Sequence, residues 1–302
     1  MAQPLLARLR EQRPDIKVDM LAPEWVAPVA RRMPEVDEVI TTAFRHGALS
    51  LRRRWQLGRT LKERRYRQAI VLPNSWKAAL VPFFADIPLR SGYVGESRYG
   101  LLNLLYRRGD RAMREHYARL SEAPDTEPAG PLPQARLRID AAQAAATRAR
   151  YGLQSGYAVL CPGAEYGPAK RWPYFAELAA RLKPPVVLLG SPNDVPAAEG
   201  IGARNLVGRT TLDDAIDIIA GAGLVVSNDS GLMHVAAALG RPLVALFGSS
   251  SPEKTPPQPG RTRVLWLKPE CSPCYERECP LGHFRCMREL SVDRVLAAAE
   301  EL

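Results

Sequence analysis

The sequence has no apolar run long enough to form a membrane helix. Its most apolar stretch, residues 78–89, is interrupted by Pro82, Asp86 and Pro88, and a span needs ~18 consecutive apolar residues. The N-terminus lacks the basic and then apolar pattern of a secretory signal. We therefore expect a cytoplasmic protein.

Zinc-finger spacing with paired histidines and basic-aromatic RNA-binding signatures are also missing, so the sequence gives little support for a nucleic-acid-binding protein. Basic residues are nevertheless in excess, 42 Lys and Arg against 32 Asp and Glu, for a formal net charge of +10. Basic runs occur at residues 52–54 and 62–65. Such runs attract nucleic acid, an anionic membrane or an acidic substrate, or are simply solvated helix faces, and charge alone does not choose among these.

Short apolar strands alternate with amphipathic helices along most of the chain, which is typical of α/β proteins with doubly wound parallel sheets. The predicted strands are residues 16–21, 38–40, 68–72, 157–161, 186–189, 224–226 and 243–247. The length allows two domains, and residues 122–133, rich in Pro, Ala, Gly and acidic side chains, read as a linker. We expect an N-terminal domain over residues 1–153, linker included, and a C-terminal domain over residues 154–302.

The N-terminal half begins with a helix, whereas a doubly wound half normally opens with a central strand whose following loop faces the ligand crevice. Leaving that strand out forfeits roughly five buried apolar residues at ~1.5–3 kcal/mol each. That sum is comparable to the ~5–15 kcal/mol net stability of a domain. We therefore expect that this sequence starts late and lacks the first strand.

Residues 223–257 form the clearest candidate for a ligand site. An apolar strand leads into the loop Ser-Asn-Asp-Ser-Gly at residues 227–231, a helical run follows at 232–239, and a second apolar strand occupies 243–247. In such a βαβ unit the ligand crevice lies at the carboxyl ends of the strands.

Four residues of this stretch suit a phosphate or diphosphate. Asp229 or Ser230 can cap the helix, and Gly231 allows close approach of a bound group to the backbone. His234 lies one turn further in. Unpaired N–H groups and the helix dipole at this point attract an anion. The alternative is an ordinary helix start with His234 as a hydrogen-bonded core histidine.

The loop after the first strand of the second half, residues 162–173, reads Pro-Gly-Ala-Glu-Tyr-Gly-Pro-Ala-Lys-Arg-Trp-Pro. Lys170 and Arg171 bring cationic donors to the carboxyl end of a strand, where they can stabilise charge on a departing diphosphate without a metal. The alternative is a solvent-facing basic loop.

A cysteine cluster lies near the C-terminus, in the spacing C-x2-C-x4-C-x6-C with His283 between the last two cysteines. Its members are Cys271, Cys274, Cys279 and Cys286. The spacing suits zinc or an iron–sulfur cluster, while an oxidised pair and unligated thiols remain open. Disulfides are disfavoured in the cytoplasm. Cys161, at a strand end, is interpreted as core packing.

Three motifs together resemble the lipopolysaccharide heptosyltransferases of glycosyltransferase family 9: residues 71–77, the loop 162–172, and residues 227–234 with the following stretch 241–252. The resemblance implies a GT-B fold of two facing Rossmann-like domains, the C-terminal one binding ADP-heptose and the N-terminal one the acceptor. It also implies an inverting, metal-independent transfer of L-glycero-D-manno-heptose to the lipopolysaccharide inner core, adding the second heptose onto heptose I. No cofactor is expected.

By position, the resemblance assigns Lys170 a catalytic role at the donor phosphates and Asp229 the donor sugar. Ser230, Gly231 and His234 match the residues around the diphosphate. Contacts from the donor loop are assigned to Gly163, Glu165 and Tyr166.

Members of this family begin with a strand and a Gly-Asp loop whose aspartate is the proposed general base. This chain starts at the helix beyond that loop, so no residue here is assigned as the base. Asp15 and Asp19 lie past the helix and are poor substitutes, because a base must reach the acceptor hydroxyl. His46 is a possible acceptor contact, although a surface loop is the simpler interpretation.

The implied acceptor is an anionic lipid A that bears Kdo and heptose, at the inner face of the cytoplasmic membrane, so peripheral membrane contact is expected. The candidates for meeting it are Arg52, Arg53, Arg54, Arg64, Arg65 and Arg98.

The sequence leaves two other functions open. One is a chain that binds ADP-sugar without turnover because the base is missing. The other is a nucleic-acid-binding module built on the cysteines, which requires bound metal and a steep salt dependence.

Overall fold

The computed structural model describes residues 1–44 and 47–302, so His46 lies outside the described residues. The strands are β1 Asp19–Pro23, β2 Glu38–Thr42, β3 Gln68–Val71, β4 Leu89–Tyr93, β5 Leu104–Tyr106, β6 Ala158–Cys161, β7 Val186–Leu188, β8 Arg204–Asn205, β9 Leu224–Asn228, β10 Leu243–Phe247 and β11 Thr262–Trp266. The helices are α1 Gln3–Gln12, α2 Ala27–Arg31, α3 Leu51–Lys62, α4 Leu80–Phe84, α5 Met113–Ala118, α6 Ala141–Arg150, α7 Phe175–Arg181, α8 Val195–Ala198, α9 Leu212–Ala220, α10 Gly231–Ala238, α11 Arg285–Arg288 and α12 Val292–Glu300.

The chain divides into two compact units. Unit 1 comprises residues 1–24 and 40–133, and unit 2 comprises residues 25–39 and 134–302. The sequence places the division later, at 153/154. Helix α6 belongs to unit 2 because it packs against α9, where the Thr147 hydroxyl donates to Asp217 Oδ2 at 3.0 Å.

Segment 25–39 is tied to unit 2 by an ion pair. Arg32, just after α2, donates through Nη1 to Asp217 Oδ1 at 2.7 Å and through Nη2 to Asp213 Oδ1 at 3.2 Å. Asp217 is only 1 % exposed. A buried carboxylate needs a partner of opposite charge, and Arg32 provides it from more than 180 residues earlier in the chain.

Within the described part of unit 2, a six-stranded parallel sheet runs in the order β11-β10-β9-β6-β7-β8. The central strands are buried on both faces, which accounts for their continuous apolar sequence. Alternate residues enter opposite cores: Val159 and Val225 pack with α9 and α10, while Leu160 and Val226 pack with α7 and α12. This sheet fixes the loops at its carboxyl edge.

Unit 1 contains smaller sheets among its described residues: a parallel sheet in the order β3-β4-β5 and the pair β1-β2. The strand predicted at residues 16–21 is observed at Asp19–Pro23. Ile16 lies before the strand, and its carbonyl accepts from the Arg10 guanidinium. In the described ranges, no helix combines the length and apolar character needed to cross a bilayer.

Two of the arginines predicted to meet the acceptor are buried in unit 1. Arg54, 6 % exposed, donates to the carbonyls of Leu49 (2.7 Å) and Lys77 (3.1 Å). Arg98, 1 % exposed, donates through Nε to the Tyr93 carbonyl at 3.0 Å. Their guanidinium groups are used to hold loops, so the prediction of acceptor contact is wrong for these two. The other four candidates have exposed side chains.

Candidate active site

The loops that follow β6 and β9 meet at one point of the unit 2 sheet. These two strands are neighbours, with Cys161 paired to Ser227, while β7 and β10 continue the sheet in opposite directions. Such a reversal of strand order opens a crevice at the carboxyl ends of the strands, where ligands bind in open α/β sheets. The loops 162–173 and 229–230 therefore flank the expected ligand position.

Asp229 follows β9 and is anchored by its own backbone, whose N–H donates to the Leu246 carbonyl at 3.0 Å. Its carboxylate Oδ2 accepts from Lys170 Nζ at 2.5 Å and from the Ser250 hydroxyl at 2.6 Å. Both members of the ion pair are largely buried, with side-chain exposures of 15 % for Lys170 and 7 % for Asp229. The structure thus brings together the two residues that the sequence placed at the donor.

Lys170 ends a short 3₁₀ turn, Pro168–Lys170, in the loop after β6. Its ammonium lies 5.0 Å from the centroid of the Tyr166 ring, and the Arg277 guanidinium lies 5.3 Å from the same centroid. The Tyr166 hydroxyl donates to the Tyr275 carbonyl. Two cations therefore lie close to the Tyr166 ring, and the side chains of Tyr166 and Glu165 are both exposed.

Two glycines in this loop are required by close approach. A Cβ on Gly163 would lie 2.0 Å from Asp194 Cγ, and a Cβ on Gly167, where φ is +150°, would lie 2.4 Å from the Arg277 carbonyl oxygen. No side chain fits at either position without displacing its neighbour. Gly163 is thus explained by packing against Asp194, and its predicted contact with the donor stays a prediction.

Asn228, to which the sequence analysis assigned no role, holds both ends of the loop 162–173. Its buried side chain donates through Nδ2 to the Pro162 carbonyl at 2.8 Å and accepts through Oδ1 from the Trp172 backbone N–H at 3.1 Å. A polar residue at the end of an apolar strand is the sequence feature that could have indicated this role. Ser250, also missed, lies in a run of three buried serines at the end of β10.

The start of α10 differs from the predicted capped helix. Ser230 occupies the N-cap position in an extended conformation, but its side chain makes no capping hydrogen bond in the described structure. The reason is that its hydroxyl lies 3.1 Å from that of Ser227, and the Asp229 carboxylate is occupied by Lys170 and Ser250. A Cβ added at Gly231 would meet nothing within 4 Å among described residues. The first N–H groups of α10 are therefore left to an external acceptor.

His234 lies one turn into α10 and is partly buried. Burial lowers the pKa of His234 to about 4, because the charged imidazolium is poorly solvated in this position. The imidazole is therefore neutral near pH 7. It can donate or accept a hydrogen bond beside the helix start, but it adds no positive charge.

The side chains of Arg171 and Lys170 point to different partners. Its guanidinium reaches back toward the Ala164 carbonyl, 3.5 Å from Nη2, at the limit of a hydrogen bond. Lys170 is therefore the cation of this loop that faces Asp229. Lys170, Asp229 and the start of α10 together offer a positive charge, a carboxylate and backbone donors, a set suited to a sugar diphosphate.

The chain is similar to known proteins over most of its length. The sequence pattern of "Glycosyltransferase family 9 (heptosyltransferase)" matches residues 54–285. Lipopolysaccharide heptosyltransferase 2 of Escherichia coli (strain K12) is 42% identical over 321 residues, covering 98% of this chain and 92% of that protein. Lipooligosaccharide heptosyltransferase 2 of Haemophilus influenzae is 40% identical over 293 residues, covering 88% of this chain and 84% of that protein.

The solved structure of E. coli ADP-heptose lps heptosyltransferase II superposes with a TM-score of 0.88 at 39% identity, covering 99% of this chain and 93% of that one. A glycosyl transferase family 9 protein from Veillonella parvula, 22% identical, shares the fold with a TM-score of 0.80. These likenesses confirm the predicted α/β, GT-B-like fold class. The chain belongs to glycosyltransferase family 9, the heptosyltransferases.

Proposed function

We propose that this glycosyltransferase moves L-glycero-D-manno-heptose from ADP-heptose to heptose I of the lipopolysaccharide inner core, with inversion at the transferred carbon. The observation that carries the proposal is the Lys170–Asp229 pair at the carboxyl edge of β6 and β9, beside the uncapped start of α10. The full-length likeness to heptosyltransferase 2 proteins supports the choice of sugar and acceptor.

The donor diphosphate is placed at the first N–H groups of α10, next to Ser230 and Gly231. Backbone donors and the helix dipole favour its negative charge there. Lys170 adds an ammonium group, which the diphosphate shares with Asp229 on binding. As the bond to heptose breaks, charge grows on the departing ADP, and these preorganised groups stabilise it.

The heptose is placed at Asp229. Its Oδ2 is already occupied by Lys170 and Ser250, which fix the orientation of the carboxylate. Among the described residues Oδ1 has no hydrogen-bond donor, so it is proposed to accept from sugar hydroxyls, and the neutral His234 offers a further hydrogen bond. Gly163, Glu165 and Tyr166 complete the proposed donor loop. In the proposed transfer step, Lys170 and the N–H groups of α10 balance the negative charge on the departing ADP, and no metal is needed.

The two halves of the chain receive separate roles in this proposal: residues 154–302 bind the donor and residues 1–153 bind the acceptor. Every donor residue named above belongs to unit 2. Unit 1 contributes exposed basic residues, Arg52 and Arg53 on α3 among them. An anionic, Kdo-bearing acceptor matches that charge.

Helix α3 is also proposed to touch the inner face of the cytoplasmic membrane. Leu51 and Trp55, each 50 % exposed, lie on one face of the helix, four residues apart and with Arg59 one turn beyond. Exposed Trp and Leu beside Arg residues suit an anionic lipid surface. Co-sedimentation with vesicles containing phosphatidylglycerol, compared with neutral phosphatidylcholine vesicles, tests this; Trp55→Ala should weaken binding to the anionic vesicles only.

The function itself is tested by two measurements on the same preparation. Transfer from ADP-heptose to a heptose-I-bearing acceptor reports turnover, and calorimetric titration with ADP reports donor binding. Transfer with inverted stereochemistry supports the proposal. Binding of ADP without transfer would favour the rival function, a chain that holds ADP-sugar but does not turn it over. Absence of both would move the assignment to another donor.

A further inference from the structure

Four cysteine side chains line one small cavity of about 50 Å³ in unit 2. Ala169, Ser249 and His283 also line it. The cysteines come from the loop after β11 and the start of α11: Cys271, Cys274, Cys279 and Cys286. None of the four forms a disulfide bond in the described structure.

Core packing explains Cys286, which is 9 % exposed and lies in an apolar core of unit 2, but it does not explain the other three cysteines. Free cysteine normally behaves as a small buried hydrophobe, and Cys161 in the core beside β9 is such a case, 2 % exposed. By contrast, Cys271, Cys274 and Cys279 remain partly exposed and lie outside the apolar cores described for this unit. Three half-exposed thiols turned toward one cavity call for another role.

The loop that carries them has little else to hold it. Residues 267–284 form neither helix nor strand, and among them only Ser272 is buried. Loops of this length without secondary structure are uncommon unless they are functional, and ordering them costs conformational entropy that apolar burial does not offset here. A cross-link through the cysteines would offset it.

The backbone around Cys279 closes on its sulfur. The Phe284 N–H donates to its sulfur at 3.4 Å, closing a turn around Sγ. The neighbouring imidazole is less available, because His283 Nδ1 accepts from the Arg285 N–H at 3.1 Å. The donor set that remains is four sulfurs.

We propose that these four cysteines bind one thiophilic divalent cation, Zn²⁺ or Fe²⁺, as a structural site that holds the loop 271–286. In the described structure no three His, Cys, Asp or Glu side chains stand in a metal-binding arrangement, so binding requires the sulfurs to close on the cavity. Tetrahedral zinc needs Zn–S distances of about 2.3 Å. Each thiol releases its proton on binding, and soft thiolates select such metals over magnesium or calcium.

The loop is in direct contact with residues around the donor loop. The Ala169 N–H donates to the Arg277 carbonyl at 3.0 Å, and the Tyr275 N–H donates to the Ser249 carbonyl at 2.7 Å. These partners flank Lys170 and Ser250. This part of the inference rests on the proposed donor site: the bound cation stabilises the loops that carry Lys170 and Ser250 and takes no part in transfer.

The test measures metal directly on the full chain, so it does not depend on the transferase assay. Elemental analysis of protein purified without chelator, then incubated with Zn²⁺ and gel-filtered, should give about one equivalent of Zn or Fe per chain. The Cys279→Ser variant should lose most of it, while the matched cavity variant His283→Ala should keep it. Four thiols of the wild type should resist Ellman's reagent until a chelator is added.

The proposal is overturned if metal stays below about a tenth of an equivalent after Zn²⁺ incubation. It is equally overturned if Cys279→Ser binds as much metal as the wild type. Because the thiol titration uses only wild-type protein, a variant that fails to fold does not prevent a decision: thiols that react at the same rate with and without chelator reject the site.

Discussion

The ammonium of Lys170 lies 2.5 Å from the Asp229 carboxylate, and 59 residues of chain separate the two. They meet because β6 and β9 are adjacent in the sheet, so that the loops following these strands open at the same edge. The pair is largely buried. Breaking such a pair from one side leaves an uncompensated charge, so the two residues should affect both stability and donor binding.

Replacing Lys170 with alanine should reduce kcat/KM because a charge-assisted contact with the departing diphosphate is lost. A loss of ~1.5–3 kcal/mol in transition-state binding corresponds to a decrease of about 10- to 150-fold. Steady-state kinetics with ADP-heptose measure it. The matched control is Lys183→Ala, an exposed lysine of the same unit, which should retain wild-type kinetics. Unchanged turnover in Lys170→Ala would remove this residue from the mechanism.

Replacing Asn228 with alanine should loosen the donor loop at both ends. The Trp172 N–H and the Pro162 carbonyl lose their partner in a buried place, at a cost of about 1–3 kcal/mol for each unsatisfied group. We expect a lower Tm and weaker ADP binding. The Asn228→Asp side chain can still accept a hydrogen bond from the Trp172 N–H but cannot donate one to the Pro162 carbonyl. This variant should therefore not recover the Tm or the ADP affinity of the wild type. If Asn228→Ala binds ADP like the wild type, the loop does not depend on this residue.

Gly163→Ala should destabilise the chain through a collision with Asp194. Overpacking of this kind costs about 1–3 kcal/mol. A double-mutant cycle identifies the cause: with Asp194→Ala in the background, adding Gly163→Ala should cost less, because the colliding carboxylate is gone. Chemical denaturation of the four proteins supplies the numbers. Strictly additive losses would show that the two residues do not interact.

Protonation of His234 should destabilise the folded chain in acid. Its pKa is lowered to about 4, below the value of about 6.5 expected in the unfolded chain. The unfolded state therefore binds the proton more readily, and stability falls as the pH drops below 6.5 and through about 4. Carboxylates titrate in the same window, so the informative quantity is the difference between wild type and His234→Gln. That difference should be constant above pH 6.5 and shift in favour of the variant below it; a constant difference throughout would contradict the assignment.

Much of unit 2 follows from the sequence. The predicted strands 157–161 and 243–247 match β6 and β10 closely, because strands buried on both faces are continuously apolar and end sharply at polar loops. Strands β4, β5 and β11 were missed. Strand β5 has only three residues. The sequences of β4 and β11, Leu-Arg-Ser-Gly-Tyr and Thr-Arg-Val-Leu-Trp, mix polar and apolar residues without a distinct period, and pairing with neighbouring strands decides their conformation.

The site could be predicted only as far as residue type and loop position allow. Lys170 and Asp229 were placed at one crevice, and the structure brings them together, while their roles remain predictions. Asn228 and Ser250 were missed because their partners are distant in sequence. Arg54 and Arg98 were misplaced because charge patterning does not distinguish a guanidinium in solvent from one that binds backbone carbonyls.

The ion pair between Arg32 and the buried Asp217 has a consequence for how the protein is made. During synthesis, residues 25–39 leave the ribosome long before α9 exists, so this segment must wait without its partner while the whole of residues 40–133 is translated. Unit 2 therefore completes its folding only when the newly made residues 134–302 pack with a segment that was synthesised much earlier. A fragment beginning at residue 134 would carry Asp217 without Arg32, its observed ion-pair partner. Separate production of unit 2 calls for co-expression of residues 25–39 or a circular permutation that joins them to it.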